Sequence, residues 1–226
     1  EKADSRVRLF FDHPSRLPEV LESGKADVAL IPVAEYFRKS VFTCIEGLGV
    51  AANGEVRSVL LKCNVPVQRV TSVMKDFAST TSNALAGLIL KRRYRRNIVM
   101  REFREGETAD AAFVIGDRAL CSVPSPAGDI DRARAWKELT GLPFVFAVWA
   151  YRRDNPSAAE FSTIAHAAFQ AGIISLDIIA GRFARKLACT KEFMHDYLTR
   201  CVRYEVGADE HEGMALFRHM LEEDAS

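Results

Sequence analysis

The chain has no surplus of either charge: among its 226 residues, 31 Lys and Arg stand against 30 Asp and Glu. Without a global field nothing draws it to nucleic acid or to an anionic membrane surface, so any anion must be recognised locally. It also lacks an apolar run of about 18 residues, the length a membrane-spanning helix needs. Its opening "EKADSRVRLF" has no apolar stretch of the kind a secretion signal requires. The five cysteines, Cys44, Cys63, Cys121, Cys189 and Cys201, include no CxxC pair and have no His at metal-ligand spacing. They read as reduced, mostly buried thiols, and the expected location is cytoplasmic. GxSxG, HExxH, P-loop and GxGxxG signatures are all missing. The histidines His13, His166, His195, His211 and His219 are scattered and read as helix or surface residues. No cofactor, metal, nucleic-acid partner or membrane partner is therefore expected.

What remains is 48% hydrophobic and 27% charged, enough apolar material for one large core or two smaller ones. "VRLFFD" suits a short strand, and "HPSRLPEVLESGKADVALIP" continues as helix and strand, with Ser15 as cap, Leu17, Val20 and Leu21 as the apolar face and Gly24 as the end. "DVALIP" is the unbroken apolar strand of a sheet buried on both faces, which predicts parallel pairing. After a short helix at "VAEYFRKS", the glycine-punctuated "CIEGLGVAANGEVRSVLLKCN" has the composition of a crossing between two lobes. A second unit starts at "VQRVTSVMKD" and leads into "NALAGLILKRRYRR", whose Leu85, Leu88 and Ile89 share one helix face. The basic run Lys91, Arg92, Arg93, Arg95 and Arg96 reads as a solvated helix end that complements the dipole, since no aromatic stacking platform accompanies it. "IVMREF" and "DAAFVIGD" are further strands, and "PFVFAVWAY" is the central strand by which the chain returns to the first lobe. After "DNP" every segment reads helical. The expected architecture is two α/β lobes, 1–55 with 143–226 and 56–142, the first including the helical tail.

Between a strand and a helix stands "DFASTTSNAL", with Ser79, Thr80, Thr81 and Ser82 in a row. One hydroxyl would cap the helix, worth roughly 1 kcal/mol, and four exceed that need. A helix start offers unpaired N–H groups and a partial positive charge, so it can hold a carboxylate, and hydroxyls add donors to the same anion. Ligands of open α/β sheets bind beyond the carboxyl ends of strands, where this cluster lies. Facing the same crevice, "NGEVRSV" offers Gly54, Arg57 and Ser58 to a second carboxylate, and "IGDRAL" places Gly116 and Asp117 at a strand end. Asp117 reads equally well as a turn residue. Glu35 occupies the matching strand end in the first lobe and reads as solvated.

Taken in order, "GKADVALIPVAEY", "GEVRSVLL", "DFASTTSNAL", "VIGDRAL" and "WKELTGLPFVFAVWAYR" resemble the chorismate dehydratases of the futalosine route to menaquinone, over nearly the whole chain. The resemblance implies a two-lobed α/β fold like the type II periplasmic binding proteins, each lobe a mixed, mostly parallel sheet flanked by helices, with a C-terminal helical tail. It implies a cytoplasmic enzyme without cofactor that converts chorismate, a small dicarboxylate, to 3-[(1-carboxyvinyl)oxy]benzoate and water. Such an elimination removes a ring hydrogen beside the enolpyruvyl ether and the neighbouring hydroxyl, and aromaticity drives it, so orientation and organised electrostatics carry much of the catalysis. By position, Ser79 becomes the catalytic hydroxyl, and Thr81 and Ser82 bind a carboxylate within a substrate-binding run that includes Thr80. There are two departures. Thr80 stands where the family usually has Arg, and the family's opening "SYLN"-type strand, with its Asn, has no counterpart, as expected of a sequence whose start has been lost. Two other readings share the fold: a non-catalytic solute-binding protein for a small carboxylate, and the effector-sensing domain of a regulator, which would need a helix-turn-helix segment that this sequence lacks.

Overall fold

A computed structural model describes residues 7–74, 80–96, 98–101 and 107–225 of the chain. The elements run α1 (Leu17–Glu22), β1 (Val28–Pro32), α2 (Val33–Arg38), β2 (Phe42–Ala52), β3 (Val59–Cys63), β4 (Ser72–Met74), α3 (Thr80–Arg92), β5 (Val99–Arg101) and β6 (Ala111–Ile115). They continue α4 (Asp117–Leu120), β7 (Asp129–Asp131), α5 (Arg132–Thr140), β8 (Phe144–Arg152), α6 (Ala158–Ile174), α7 (Leu176–Leu187), α8 (Lys191–Asp196), β9 (Arg203–Glu205) and α9 (Ala208–Ala225). A π-helical turn, Tyr197–Cys201, extends α8.

Two sheets result, ordered β1-β8-β2-β9 and β5-β4-β6-β3-β7. The run "PFVFAVWAY" does form a central strand, with β1 on one side and β2 on the other. Its pairings are antiparallel, and so is that of β2 with β9. Parallel pairs occur where β4 meets β5 and β6, while β3 is antiparallel to β6 and β7. The parallel partner expected for β1 is thus replaced by β8, which offers five successive register positions from Val28 opposite Tyr151 to Pro32 opposite Ala147. "VRLFFD" forms no strand: Leu9 is 66% and Phe11 92% exposed, and among the described residues β1 is the edge of its sheet.

The main core gathers Trp136, Phe144 and Phe217 edge to face at centroid distances of 5.0–5.8 Å. Pairs of this geometry add to simple area burial. Leu85, Leu88 and Ile89 of α3 join this cluster, so a helix of the second unit packs directly on the first sheet. The turn between α5 and β8 explains the run "TGLPF". Thr140 Oγ1 donates to the Trp136 carbonyl and accepts from Leu142 N–H, Gly141 ends the helix with φ +76°, and Trp136 Nε1 donates to the Pro143 carbonyl. The basic run at the end of α3 is less solvated than its sequence suggests. Lys91 and Arg92 pair with Asp224 and Glu223 of α9, and Arg93 pairs with Glu138 of α5. Among the described residues no single helix is long and apolar enough to cross a membrane; α6 and α7 meet that test only as a pair bent by 73°.

Gly213 of α9 lies where a Cβ would collide with the Pro143 carbonyl oxygen, whereas a Cβ on Gly172 of α6 meets nothing within 4 Å. Gly213→Ala should destabilise by about 2 kcal/mol, because backbone cannot retreat as a flexible side chain can. Gly172→Ala should stabilise slightly, by up to about 1 kcal/mol, through helix propensity. Thermal melts of the two variants check the contrast, and equal shifts would contradict this packing.

Candidate active site at the crossing between the sheets

The hydroxyl cluster opens α3 as its composition predicts. Ser79 lies outside the described residues, as does the side chain of Thr80, the first residue of the helix. Thr81 and Ser82 are both buried. The Thr81 hydroxyl accepts the Ala34 N–H at 3.0 Å, and Ala34 belongs to the first turn of α2, directly after β1. That hydrogen bond uses acceptor capacity and leaves the hydroxyl proton available for donation. The first turns of α2 and α3, one from each sheet's neighbourhood, therefore meet at Thr81. Among the described residues, the first turn of α3 itself contains no acidic side chain.

The first crossing, from β2 to β3, is tightly bent. Gly54 has φ +121°, and Arg57, with φ +61°, lies in the left-handed region that side chains disfavour. Ser58 N–H returns to the Val56 carbonyl at 2.7 Å, a three-residue turn centred on Arg57. Asp131 holds it: the carboxylate accepts Val56 N–H at 2.9 Å and Arg57 N–H at 2.6 Å, while its other oxygen accepts Arg134 N–H at 3.1 Å and so caps α5. Burial pushes the Asp131 carboxyl above its usual range despite these three donors.

Ser58 is buried, and its Oγ accepts the Tyr197 hydroxyl at 2.9 Å. Burial raises the Tyr197 phenol above its ordinary value. The Ser58 carbonyl accepts Gly116 N–H at 2.8 Å, which joins the crossing to the end of β6. Gly116 itself has φ +60° and ψ −141°, a conformation for glycine alone. The Arg57 guanidinium meets Asp196 at 2.8 Å and Glu55 at 3.3 Å, carboxylates that a substrate would have to displace. Asp117 is exposed and pairs with Lys186 of α7 at 3.0 Å, facing the helical tail. Glu35 pairs with Arg38 one turn along α2.

Arg57, Ser58 and Gly116 are thus drawn together, and Thr81 and Ser82 form a second group at α2. Three residues that join these groups escape the sequence reading. Asp131 carries a signal, an Asp immediately before an amphipathic helix. Tyr197 carries none. Arg132, inside "DIDRARAW", looks like a solvated helix residue, yet it is completely buried. Its Nη1 donates to the Ser82 carbonyl at 2.7 Å, and its guanidinium lies 4.7 Å from the Phe113 ring centre. A guanidinium therefore reaches the α3 turn from α5 although Thr80 supplies none.

Among the described residues no three His, Cys, Asp or Glu side chains are grouped to hold a metal. A cavity of about 1090 Å³ lies elsewhere, between the first sheet, α6, α7 and the segment from Val7 to Asp12, with Leu30, Trp149 and Phe169 in its wall. None of the described candidate residues lines it.

A family model described as menaquinone biosynthesis matches residues 2–223. A chorismate dehydratase of Thermus thermophilus is 29% identical over 95% of this chain and 86% of its own length. One from Campylobacter jejuni subsp. jejuni is 38% identical over 59% of this chain, which spans about half of that relative, 49%. In structure the chain is similar to a protein of Archaeoglobus fulgidus, with TM-score 0.68 and 17% identity over 95% of this chain and 85% of that one. The periplasmic aliphatic sulphonate binding protein of Escherichia coli gives TM-score 0.58 and 13% identity over 95% and 80%. At such identities the structural likeness speaks for the fold, that of periplasmic binding proteins.

The raised carboxyl of Asp131 has a sign that can be measured. Its folded-state value lies above the ordinary 3.8, so the stability it contributes is present below about that pH and is lost as pH rises through the folded value. Asp131→Asn, free of this titration, should gain on the wild type in urea unfolding as pH rises from about 4 to 7. A stability gap between the two that is constant with pH, or that widens in favour of the wild type, would contradict the assignment.

Proposed function

The chain belongs to the menaquinone biosynthesis family, and from that premise we propose that it is a chorismate dehydratase, a hydro-lyase that converts chorismate to 3-[(1-carboxyvinyl)oxy]benzoate and water. The observation that carries this reading to particular residues is the meeting of α2 and α3 at Thr81, where a buried hydroxyl-bearing helix start faces a second helix start. Two positive helix ends with hydroxyl donors suit a substrate with two carboxylates.

In this reading the lobes are 1–55 with 143–226 and 56–142, and chorismate lies between them. Thr81 and Ser82 with the α3 N–H groups, and Thr80 in the same run, hold one carboxylate. Gly54, Arg57, Ser58 and Gly116 face the remainder of the substrate, with the Arg57 guanidinium exchanging its contacts with Glu55 and Asp196 for substrate contacts and Asp117 giving up its pair with Lys186 to join them. Ser79, next to the helix start, is the hydroxyl that acts on the reacting ring. The elimination removes one ring hydrogen and the neighbouring hydroxyl, and the ring becomes aromatic. Strong product stabilisation reduces the demand on acid and base groups, so fixing the ring and its charges supplies most of the rate. The reaction takes place in the cytoplasm, and its partner is the small dicarboxylate.

Incubation of the protein with chorismate should abolish the absorbance of the substrate's diene; unchanged chorismate at high protein concentration would sink the proposal. Ser79→Ala should lower kcat by on the order of a hundredfold with little change in melting temperature. Thr81→Ala and Ser82→Ala should act mainly on KM, raising it on the order of tenfold for a lost charge-assisted hydrogen bond. Near-normal kinetics in all three would return the cluster to a capping role.

A further inference from the structure

Three side chains from one turn of the helical tail converge on the crossing. Phe193, Asp196 and Tyr197 stand at i, i+3 and i+4 along α8 and the π-helical turn that extends it, so they share one face. The Phe193 ring centre lies 6.0 Å from the Arg57 guanidinium carbon, Asp196 pairs with Arg57 at 2.8 Å, and the Tyr197 hydroxyl donates to Ser58. The tail is anchored where it carries them. Met194 is buried in a cluster with Ala180 and Ala184 of α7, and Val202 N–H returns to the Tyr197 carbonyl to close the π turn, a feature that recurs at functional sites. The backbone of Asp196 is thus held on both sides, whereas the Arg57 side chain is long and 36% exposed, so the guanidinium is the partner that can move. Arg57 has a second carboxylate partner in Glu55, but at 3.3 Å, and Glu55 is more exposed than Asp196 and also pairs with Arg134. The closer and less solvated carboxylate holds the guanidinium more strongly. An ion pair this exposed adds little to stability, yet it puts a carboxylate on the very group a ligand carboxylate needs.

We propose that Asp196 is an internal stand-in for a substrate carboxylate: it occupies Arg57 until a ligand carboxylate replaces it, and so sets the affinity of the crossing for that group. The proposal deepens the reading of the crossing as one wall of the substrate site and rests on it. A dicarboxylate gains at Arg57 only the difference between its own pairing and that of Asp196, because two like charges on one guanidinium repel. Tyr197 keeps Ser58 in place while the guanidinium changes partner. The consequence runs against the usual loss of function, since removal of Asp196 tightens the site.

Asp196→Asn keeps the shape without the charge, and Asp196→Ala removes the contact. Affinity for isophthalate, a non-reacting aromatic dicarboxylate, is measured by calorimetry beside KM for chorismate and the thermal midpoint. Both variants should bind isophthalate about twofold to fivefold more tightly than the wild type, the range an exposed ion pair allows, and KM should fall alongside. Glu55→Gln should gain less. Glu192→Gln removes an equal charge one turn back along α8, outside the Arg57 ion pairs, and should bind isophthalate as the wild type does. A carboxylate that only braces the tail would, on removal, lower the thermal midpoint and leave isophthalate affinity unchanged or weaker, and that result overturns the proposal. So does an equal gain in Glu192→Gln, which marks a general charge effect. If the wild type leaves chorismate intact yet binds isophthalate, the dehydratase reading fails alone and the isophthalate series still decides the role of Asp196. If it converts chorismate without binding isophthalate, the KM series decides it. If it does neither, both readings fall.

Discussion

The buried carboxylate of Asp131 ties together the parts of the molecule on which chemistry is argued. One oxygen holds the N–H groups of Val56 and Arg57 and so fixes the turn at which the chain leaves the first sheet. The other caps α5, whose first residue is Arg132. From Arg132 the connection runs to the Ser82 carbonyl, from the neighbouring Thr81 to the Ala34 N–H, and so back to the first sheet at the end of β1. A carboxylate held in such surroundings costs solvation, which is why burial raises its pKa, and three backbone donors offset part of that cost.

The same crossing carries backbone strain. Arg57 in the left-handed region and Gly116 in a glycine-only conformation lie on opposite sides of the hydrogen bond between Gly116 N–H and the Ser58 carbonyl. Strain of this kind persists where surrounding contacts over-determine it, and it concentrates at functional sites. Here Asp131 supplies one set of contacts, while Asp196 and Tyr197, adjacent residues at the end of α8, supply another by engaging Arg57 and Ser58. The helical tail is thereby part of the crossing.

Local patterns were legible wherever one segment decides its own structure. The apolar run at β8, the face of α3 formed by Leu85, Leu88 and Ile89, and the helices after Asn155 all follow from periodicity and punctuation. Pairing was not, because β1 takes as its partner β8, which lies far along the chain. The basic end of α3 misleads for a similar reason: its counter-charges Asp224, Glu223 and Glu138 come from α9 and α5. Of the site, the hydroxyl cluster and the strained glycines announce themselves by residue type. Arg132 does not, since an arginine between Asp131 and Ala133 has the local pattern of a solvated helix, and only tertiary packing encloses it.

The chain belongs to the menaquinone biosynthesis family, and the proposed reading seats a substrate carboxylate at the α3 turn. The two meet in one measurement, a crystal structure of the protein with the aromatic product bound. A product carboxylate is expected within hydrogen-bonding distance of the Thr81 and Ser82 hydroxyls and the N–H groups of the first α3 turn. A product seated in the apolar cavity beside α6 and α7, with that turn empty, would contradict the assignment.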